Sequence, residues 1–293
     1  MLEVSNLTRR FGDHVAVNDV SFVVPEGSFT GFVGGNGAGK TTTMRMIMGL
    51  LAPHGGSVTW QGQPITTKDR AAFGYMPEER GLYPKQPILS QLTYFGELYG
   101  MSAGDAKQEA SSLLERFGLG DRMKDKLESL SLGNQQRVQI AAAVMADPIC
   151  LVLDEPFSGL DPDAVDEMFV ILSELTKRGV PVLFSSHQLD LVERLCEHMV
   201  ILAKGQVMVS GTVDSIRESA GHDHRIVVDG DLGWLRDEAG VEVIDIDGGR
   251  AQVRFADPSA EQRVLSSAIN RGPVREFGPN RRPLSEIYRE VTR

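Results

Sequence analysis

Apolar residues recur with two spacings along this chain, and the alternation between them lays out its elements. Strand-like runs at Leu2–Leu7 and Val15–Val24 are broken by Gly12-Asp13 and closed by Pro25-Glu26-Gly27, both turn signals. Phe29–Val33 is short and almost wholly apolar, as a buried strand is, and Thr41–Leu50 has helical character. Short strand-like pieces follow at Ser57–Gln61, Pro64-Ile65 and Phe73–Met76, and Leu89–Arg116 then reads as largely helical with a break at Gly100 to Gly104. Val138, Ala141, Ala142 and Met145 fall at i, i+3, i+4 and i+7, one face of a helix that stops at Asp147-Pro148. Cys150–Leu153 predicts a buried parallel strand. Asp163–Arg178 predicts an amphipathic helix with Val165, Met168, Phe169, Leu172 and Leu175 on one side and Gly179 at its end. Val182–Ser185 is the next strand, Leu189–Glu197 a helix, and Met199–Ser210 a hairpin turning at Lys204-Gly205. Strands alternating with helices give an α/β fold class.

The pattern loosens into small and polar residues around Glu218–His224, which reads as a linker between a domain over 1–218 and a second over 224–293. The tail predicts a small α+β module: strand Arg225–Val228, helix Leu232–Ala239, strands Val241–Ile246 and Gln252–Phe255, helix Ala260–Asn270, strand Val274–Phe277 and a last helix, Leu284–Thr292.

Composition changes this picture only by exclusion. A net charge of −10 over 293 residues argues against nucleic acid as the main partner, because phosphate contacts need a basic surface. Cys150 and Cys196 are the only cysteines, and their apolar neighbours read as core in a reducing compartment. With no signal-peptide layout and no run near the roughly 18 apolar residues of a membrane span, the expected location is cytoplasmic. Any work at a membrane would need a spanning subunit from elsewhere.

The candidate chemistry begins at GGNGAGKTT, Gly34–Thr42, which fits the phosphate loop G-x-x-x-x-G-K-[ST] between a strand and a helix. Small residues let successive backbone N–H groups curl around an anion, and the following helix adds the positive end of its dipole. Lys40 would reach the β- and γ-phosphates and the Thr41 hydroxyl would ligate Mg²⁺. The strand Cys150–Leu153 runs into Asp154, where a second Mg²⁺ ligand belongs, and Glu155 follows, placed to polarise a water attacking the γ-phosphate. LSLGNQQ, Leu130–Gln136, opens the helix ahead of that strand, so its backbone donors and the Ser131 hydroxyl offer a second phosphate grip. A bare N-cap role for Ser131 is the other reading.

In this order the motifs resemble those of ATP-binding-cassette (ABC) transporter ATPases over roughly the first 215 residues. The resemblance implies a RecA-like P-loop core with an antiparallel β layer, a helical subdomain near residues 85–147, and the cofactors ATP and Mg²⁺. It implies Glu155, His187 and Lys40 as catalytic residues. Phe11, Gly34, Gly35, Asn36, Gly37, Ala38, Gly39, Lys40, Thr41, Thr42, Ser131, Gly133 and Gln136 would contact nucleotide, and Thr41, Asp154 and Glu78 would hold the metal. Ser158-Gly159-Leu160-Asp161 matches the family's D-loop, and His187 its γ-phosphate sensor. Partners implied are a second copy facing head to tail and a multi-pass permease at whose cytoplasmic face the chain works. Three positions depart from the family pattern. Gly35 stands where many relatives have proline, Leu132 replaces a signature glycine, and Glu78 replaces the Q-loop glutamine. EERGLY (Glu78–Tyr83), the GNQQ signature and the tail RPLSEIYREV (Arg282–Val291) resemble the ATPases of ABC-2-type exporters, which carry a small C-terminal domain.

Overall fold

The computed structural model describes residues 1–79, 81–219, 223–280 and 283–292. They form two compact units, built on Met1–Val213 and Asp214–Glu290.

In the first unit, β1 (Leu2–Phe11) and β2 (His14–Val24) form an antiparallel hairpin turning at Gly12-Asp13. β3 (Phe29–Val33) is buried throughout and leads through the glycine-rich loop into α1 (Lys40–Ile47). β4 (Gly55–Trp60) and β5 (Gln63–Pro64) return to the hairpin and complete an antiparallel sheet in the order β2-β1-β4-β5. After α2 (Thr67–Ala71) comes β6 (Phe73–Met76), an edge strand of the second sheet, to which β3 also belongs. α3 (Ile88–Leu98), α4 (Ala103–Arg116) and α5 (Leu132–Val144) then intervene before β7 (Cys150–Leu153). α6 (Pro162–Lys177), β8 (Val182–Ser186), α7 (Leu189–Leu195), β9 (His198–Ala203) and β10 (Gln206–Thr212) follow. The second sheet has the order β10-β9-β3-β8-β7-β6, parallel except for the hairpin strand β10.

Leu2, Val4, Leu7, Val17 and Phe22 of the antiparallel layer share one apolar core with Phe32, Phe73, Val152, Leu183 and Val200 of the parallel sheet. Met44, Met46 and Ile47 of α1 join that core, which fixes the helix, and so the loop before it, against both sheets. β3 lies between β8 and β9, and β7 on the far side of β8. The carboxyl ends of β3, β7 and β8 are thus neighbours, the edge at which open α/β sheets bind ligands.

Two expectations need correction here. Of the stripe Val138, Ala141, Ala142 and Met145, Ala142 is only half-buried, and the stripe is not the only buried face of α5. Gln139, Ile140, Ala143 and Val144 are buried as well, because the helix is packed against β6 and also against α3 and α4. The expected linker near residue 218 is helical at its start: α8 (Val213–Ser219) is anchored by Val213 and Ile216, whose two apolar positions were too few to register as a helical period. Residues 220–222 of that linker lie outside the described residues.

The second unit runs β11 (Asp223–Val228), a 3-10 helix at Gly233–Asp237, β12 (Val241–Asp247), β13 (Arg250–Phe255), α9 (Pro258–Arg271) and β14 (Val274–Pro279), with α10 (Leu284–Val291) last. Its antiparallel sheet has the order β12-β13-β11-β14, a β-α-β-β-α-β arrangement with the first helix reduced to 3-10 turns. An α-helix over Leu232–Ala239 does not form. The buried anchors Leu232 and Leu235 are three residues apart, which suits the three-residue turn of a 3-10 helix, and Gly240 at φ +79° ends the segment.

Candidate active site

Two glycines of the phosphate loop have no room for a side chain. A Cβ on Gly34 would sit 2.5 Å from the Leu202 carbonyl oxygen, and one on Gly39 (φ +104°) 2.7 Å from that of Ala16. The Lys40 side chain, 8% exposed, donates from Nζ to the Gly34 carbonyl at 2.7 Å and to that of Gly35 at 3.4 Å. The Thr41 hydroxyl donates to Glu78 Oε2 at 3.3 Å. Arg80, the cation two residues beyond Glu78 in the sequence, lies outside the described residues.

Across the sheet, Asp154 directly follows β7 and is fully buried. Its N–H donates to the Met76 carbonyl at 2.8 Å, its Oδ1 accepts the Ser185 hydroxyl at 2.6 Å, and its Oδ2 is buried with no protein partner. Glu155 adopts φ +51°, a left-handed conformation uncommon for a residue with a Cβ, and its N–H donates to Ser185 Oγ at 2.7 Å. The turn brings its carboxylate 3.7 Å from Lys40 Nζ and 3.0 Å from His187 Nδ1. Three sequence-distant motifs thus meet on one carboxylate.

A cleft of about 390 Å³ is lined by Phe11, His14, Ala16, Gly35 to Thr42, Glu78, Asp154 and Glu155. The Phe11 ring is 49% exposed, with the Arg9 guanidinium 4.9 Å from its centroid, so one face is backed by a cation and the side chain stays at the cleft. His14 and Ala16 were not among the expected residues. His14 is the cross-strand partner of Phe11 at the tip of the hairpin, so the register of a tight Gly12-Asp13 turn was the available signal. Ser185 was missed as well, although it stands two residues before His187.

The signature segment does not line this cleft. Ser131 caps α5, accepting from the Asn134 N–H at 3.4 Å, and is exposed. Leu132 lies over Gly159: a Cβ there would be 2.9 Å from Leu132 Cδ2, and one on Gly133 would be 3.1 Å from Leu160 Cδ2. Gln136, expected at nucleotide, has other partners. It is buried, and its amide donates to the Glu155 carbonyl at 3.0 Å and to the Pro156 carbonyl at 2.9 Å, so this side chain is committed within its own chain.

Both cysteines are buried and free, and burial pushes the Cys150 thiol up to about 12 and that of Cys196 well above its ordinary value. The Tyr75 phenol is raised by burial and secondarily by the Asp154 charge.

No group of three or more His, Cys, Asp or Glu side chains converges as a metal site among the described residues. The donors at the cleft, Asp154 Oδ2, Thr41 Oγ1 and Glu78, are all oxygen. That set fits Mg²⁺, a hard cation that keeps few protein ligands and takes the rest from phosphates and water.

Known proteins resemble this chain over both of its units. A family model described as "ABC transporter" matches residues 17–158, and one described as "ATP-binding protein DrrA1-3-like, C-terminal domain" matches residues 211–292. The ABC transporter ATP-binding protein YhaQ of Bacillus subtilis (strain 168) is 40% identical over 291 residues, 99% of this chain and 98% of that protein. The linearmycin resistance ATP-binding protein LnrL of the same organism is 35% identical over 226 residues, 76% of this chain and 73% of that protein. A solved structure of an ATP-binding subunit of an ABC transporter superposes with a TM-score of 0.69 at 34% identity, covering 75% of this chain and 93% of that one. With relatedness spanning nearly its whole length, this chain belongs to the ATP-binding proteins of ABC transporters: it is an ATPase cassette followed by a DrrA-like C-terminal domain.

Proposed function

We propose that this ATPase powers an ABC-2-type exporter through a separate multi-pass permease, working at the cytoplasmic face of the membrane as a head-to-tail pair of cassettes. No described helix is long and apolar enough to cross a membrane, which supports a separate spanning subunit. Names among the relatives, linearmycin resistance and Nod factor export, support an exporter.

In this reading ATP lies in the 390 Å³ cleft with adenine on Phe11 and phosphates in the loop Gly34–Thr42. Lys40 leaves the Gly34 and Gly35 carbonyls to neutralise the β- and γ-phosphates. Glu155 takes the proton side of the attacking water, and His187, already against that carboxylate, holds the γ-phosphate. Thr41, Asp154 and Glu78 would hold Mg²⁺, which would supply charge neutralisation for the leaving phosphate. The observation that carries the reading is the meeting of Lys40, Asp154 and Glu155 at one cleft, with Asp154 Oδ2 buried and without a partner.

Ser131 and Gly133, absent from the cleft of their own chain, contact the nucleotide of the second copy. Closing on ATP and opening after hydrolysis then moves the permease between two access states. A mixing experiment tests the shared site. Lys40→Ala and Ser131→Arg homodimers should both be inactive, while their heterodimer recovers one site and about a quarter to a half of wild-type turnover, on the view that coupled sites share the work. Confirmed heterodimers with no turnover would contradict it.

A further inference from the structure

Ser185 is fully buried in the middle of the parallel sheet, and its one hydroxyl is used twice. It donates its proton to Asp154 Oδ1 at 2.6 Å and accepts the N–H of Glu155 at 2.7 Å. A serine oxygen has one proton and two lone pairs, so these two bonds fix its rotor. The placement follows from register: β8 pairs with β7 at Leu153↔Phe184, and the next residue on each strand is Asp154 and Ser185.

Each bond has a separate consequence. Saturating Oδ1 with a neutral donor fixes the carboxylate plane and leaves Oδ2 as the one oxygen with no protein partner. A buried carboxylate oxygen without a donor is costly, and a neutral clamp on its twin orients it without supplying the positive charge that a lysine would. The second bond anchors Glu155 where its backbone turns left-handed at φ +51°, a conformation that needs support in a residue with a Cβ. That turn is what carries the Glu155 carboxylate back to Lys40 and His187.

We propose that Ser185 is a positioning residue for hydrolysis, a single hydroxyl that sets both the free oxygen of Asp154 and the backbone turn of Glu155. The proposal rests on the roles assigned to Asp154 and Glu155 above. It ties the metal side of the site to the water side through one atom, and predicts that the two fail together.

The test uses the full chain and four proteins: wild type, Ser185→Ala, Ser185→Thr and Asp154→Asn. Ser185→Ala lowers kcat by about tenfold to hundredfold, the loss of a charge-assisted buried hydrogen bond, while ATP affinity in EDTA stays within about twofold of wild type. Electron paramagnetic resonance of bound Mn²⁺ with ADP provides the readout that a purely structural serine would not move: Ser185→Ala changes the zero-field splitting, and Ser185→Thr, which keeps the hydroxyl, restores both the spectrum and kcat. Should Ser185→Ala fail to fold, Ser185→Val, which matches the Thr side chain in shape but has no hydroxyl, is read in the same way. Wild-type kcat and an unchanged Mn²⁺ spectrum in the folded Ala or Val protein overturn the proposal, as does a folded Thr protein no better than either. Asp154→Asn separates the two layers. If it keeps full turnover, the site reading itself fails; if it is inactive while Ser185→Ala behaves as wild type, only the role of Ser185 falls.

Discussion

Two aspartates are buried beside strand ends in this molecule, one in each unit, and they are satisfied differently. Asp223, in the second unit, has Arg254 at 2.9 Å on Oδ1 and the Gln252 amide at 3.0 Å on Oδ2, so both oxygens are occupied. Asp154, in the first, has the Ser185 hydroxyl on Oδ1 and nothing on Oδ2. Burying a carboxylate is tolerated when its oxygens are paired and unfavourable when one is not. The first arrangement holds a sheet together; the second keeps an acceptor in reserve for something that arrives with the substrate.

The contrast breaks if the two residues respond alike to the same substitution. Asp154→Asn should reduce ATP turnover on the order of 10²–10³-fold without lowering Tm, since it removes a buried charge that has no counter-ion. Asp223→Asn should leave turnover unchanged and lower Tm by about 2–4 °C, because Arg254 loses its buried partner. Turnover and scanning calorimetry on the two variants give both numbers.

A smaller effect is expected at Lys40, whose buried ammonium is held by loop carbonyls and by Glu155. Lys40→Ala should weaken ATP binding by about 10- to 100-fold in calorimetry. Smaller again is Glu78→Gln. Glu78 meets the Thr41 hydroxyl at the cleft, and an anionic oxygen holds a hard cation better than an amide, so the Mg²⁺ concentration for half-maximal hydrolysis should rise by about two- to fivefold. Superimposable Mg²⁺ titrations would remove Glu78 from the metal site.

The least effect concerns the cysteines. The Cys150 thiol is raised to about 12 from an ordinary 9.0 by burial. Above pH 9 the unfolded thiol ionises first, so the unfolded chain binds fewer protons and stability falls as pH climbs from 9 towards 12. Neither cysteine should react with iodoacetamide at pH 8 until the protein is unfolded.

Much of this was legible in the sequence, for definite reasons. β3, β7 and β8 are short, mostly apolar runs; the phosphate-loop motif put Lys40 and Thr41 after the first, Asp154 and Glu155 directly follow the second, and the role of His187 after the third came with the family resemblance. Ser185 was not legible as a partner of Asp154, because its contact depends on the register between two parallel strands joined through α6. Gln136 turns inward for a similar reason: its acceptors are backbone carbonyls beyond β7, and no side-chain pattern announces them. The start of α8 escaped because two apolar residues do not make a period.

The most direct test of the account is phosphate release by purified Glu155→Gln beside wild type, with ATP binding measured on both. The substitution keeps the size of the side chain and removes the carboxylate that meets Lys40 and His187. Hydrolysis should fall by about 10²-fold or more while ATP is still bound. Wild-type turnover in the variant would contradict the assignment of Glu155, and with it the chemistry placed at this cleft.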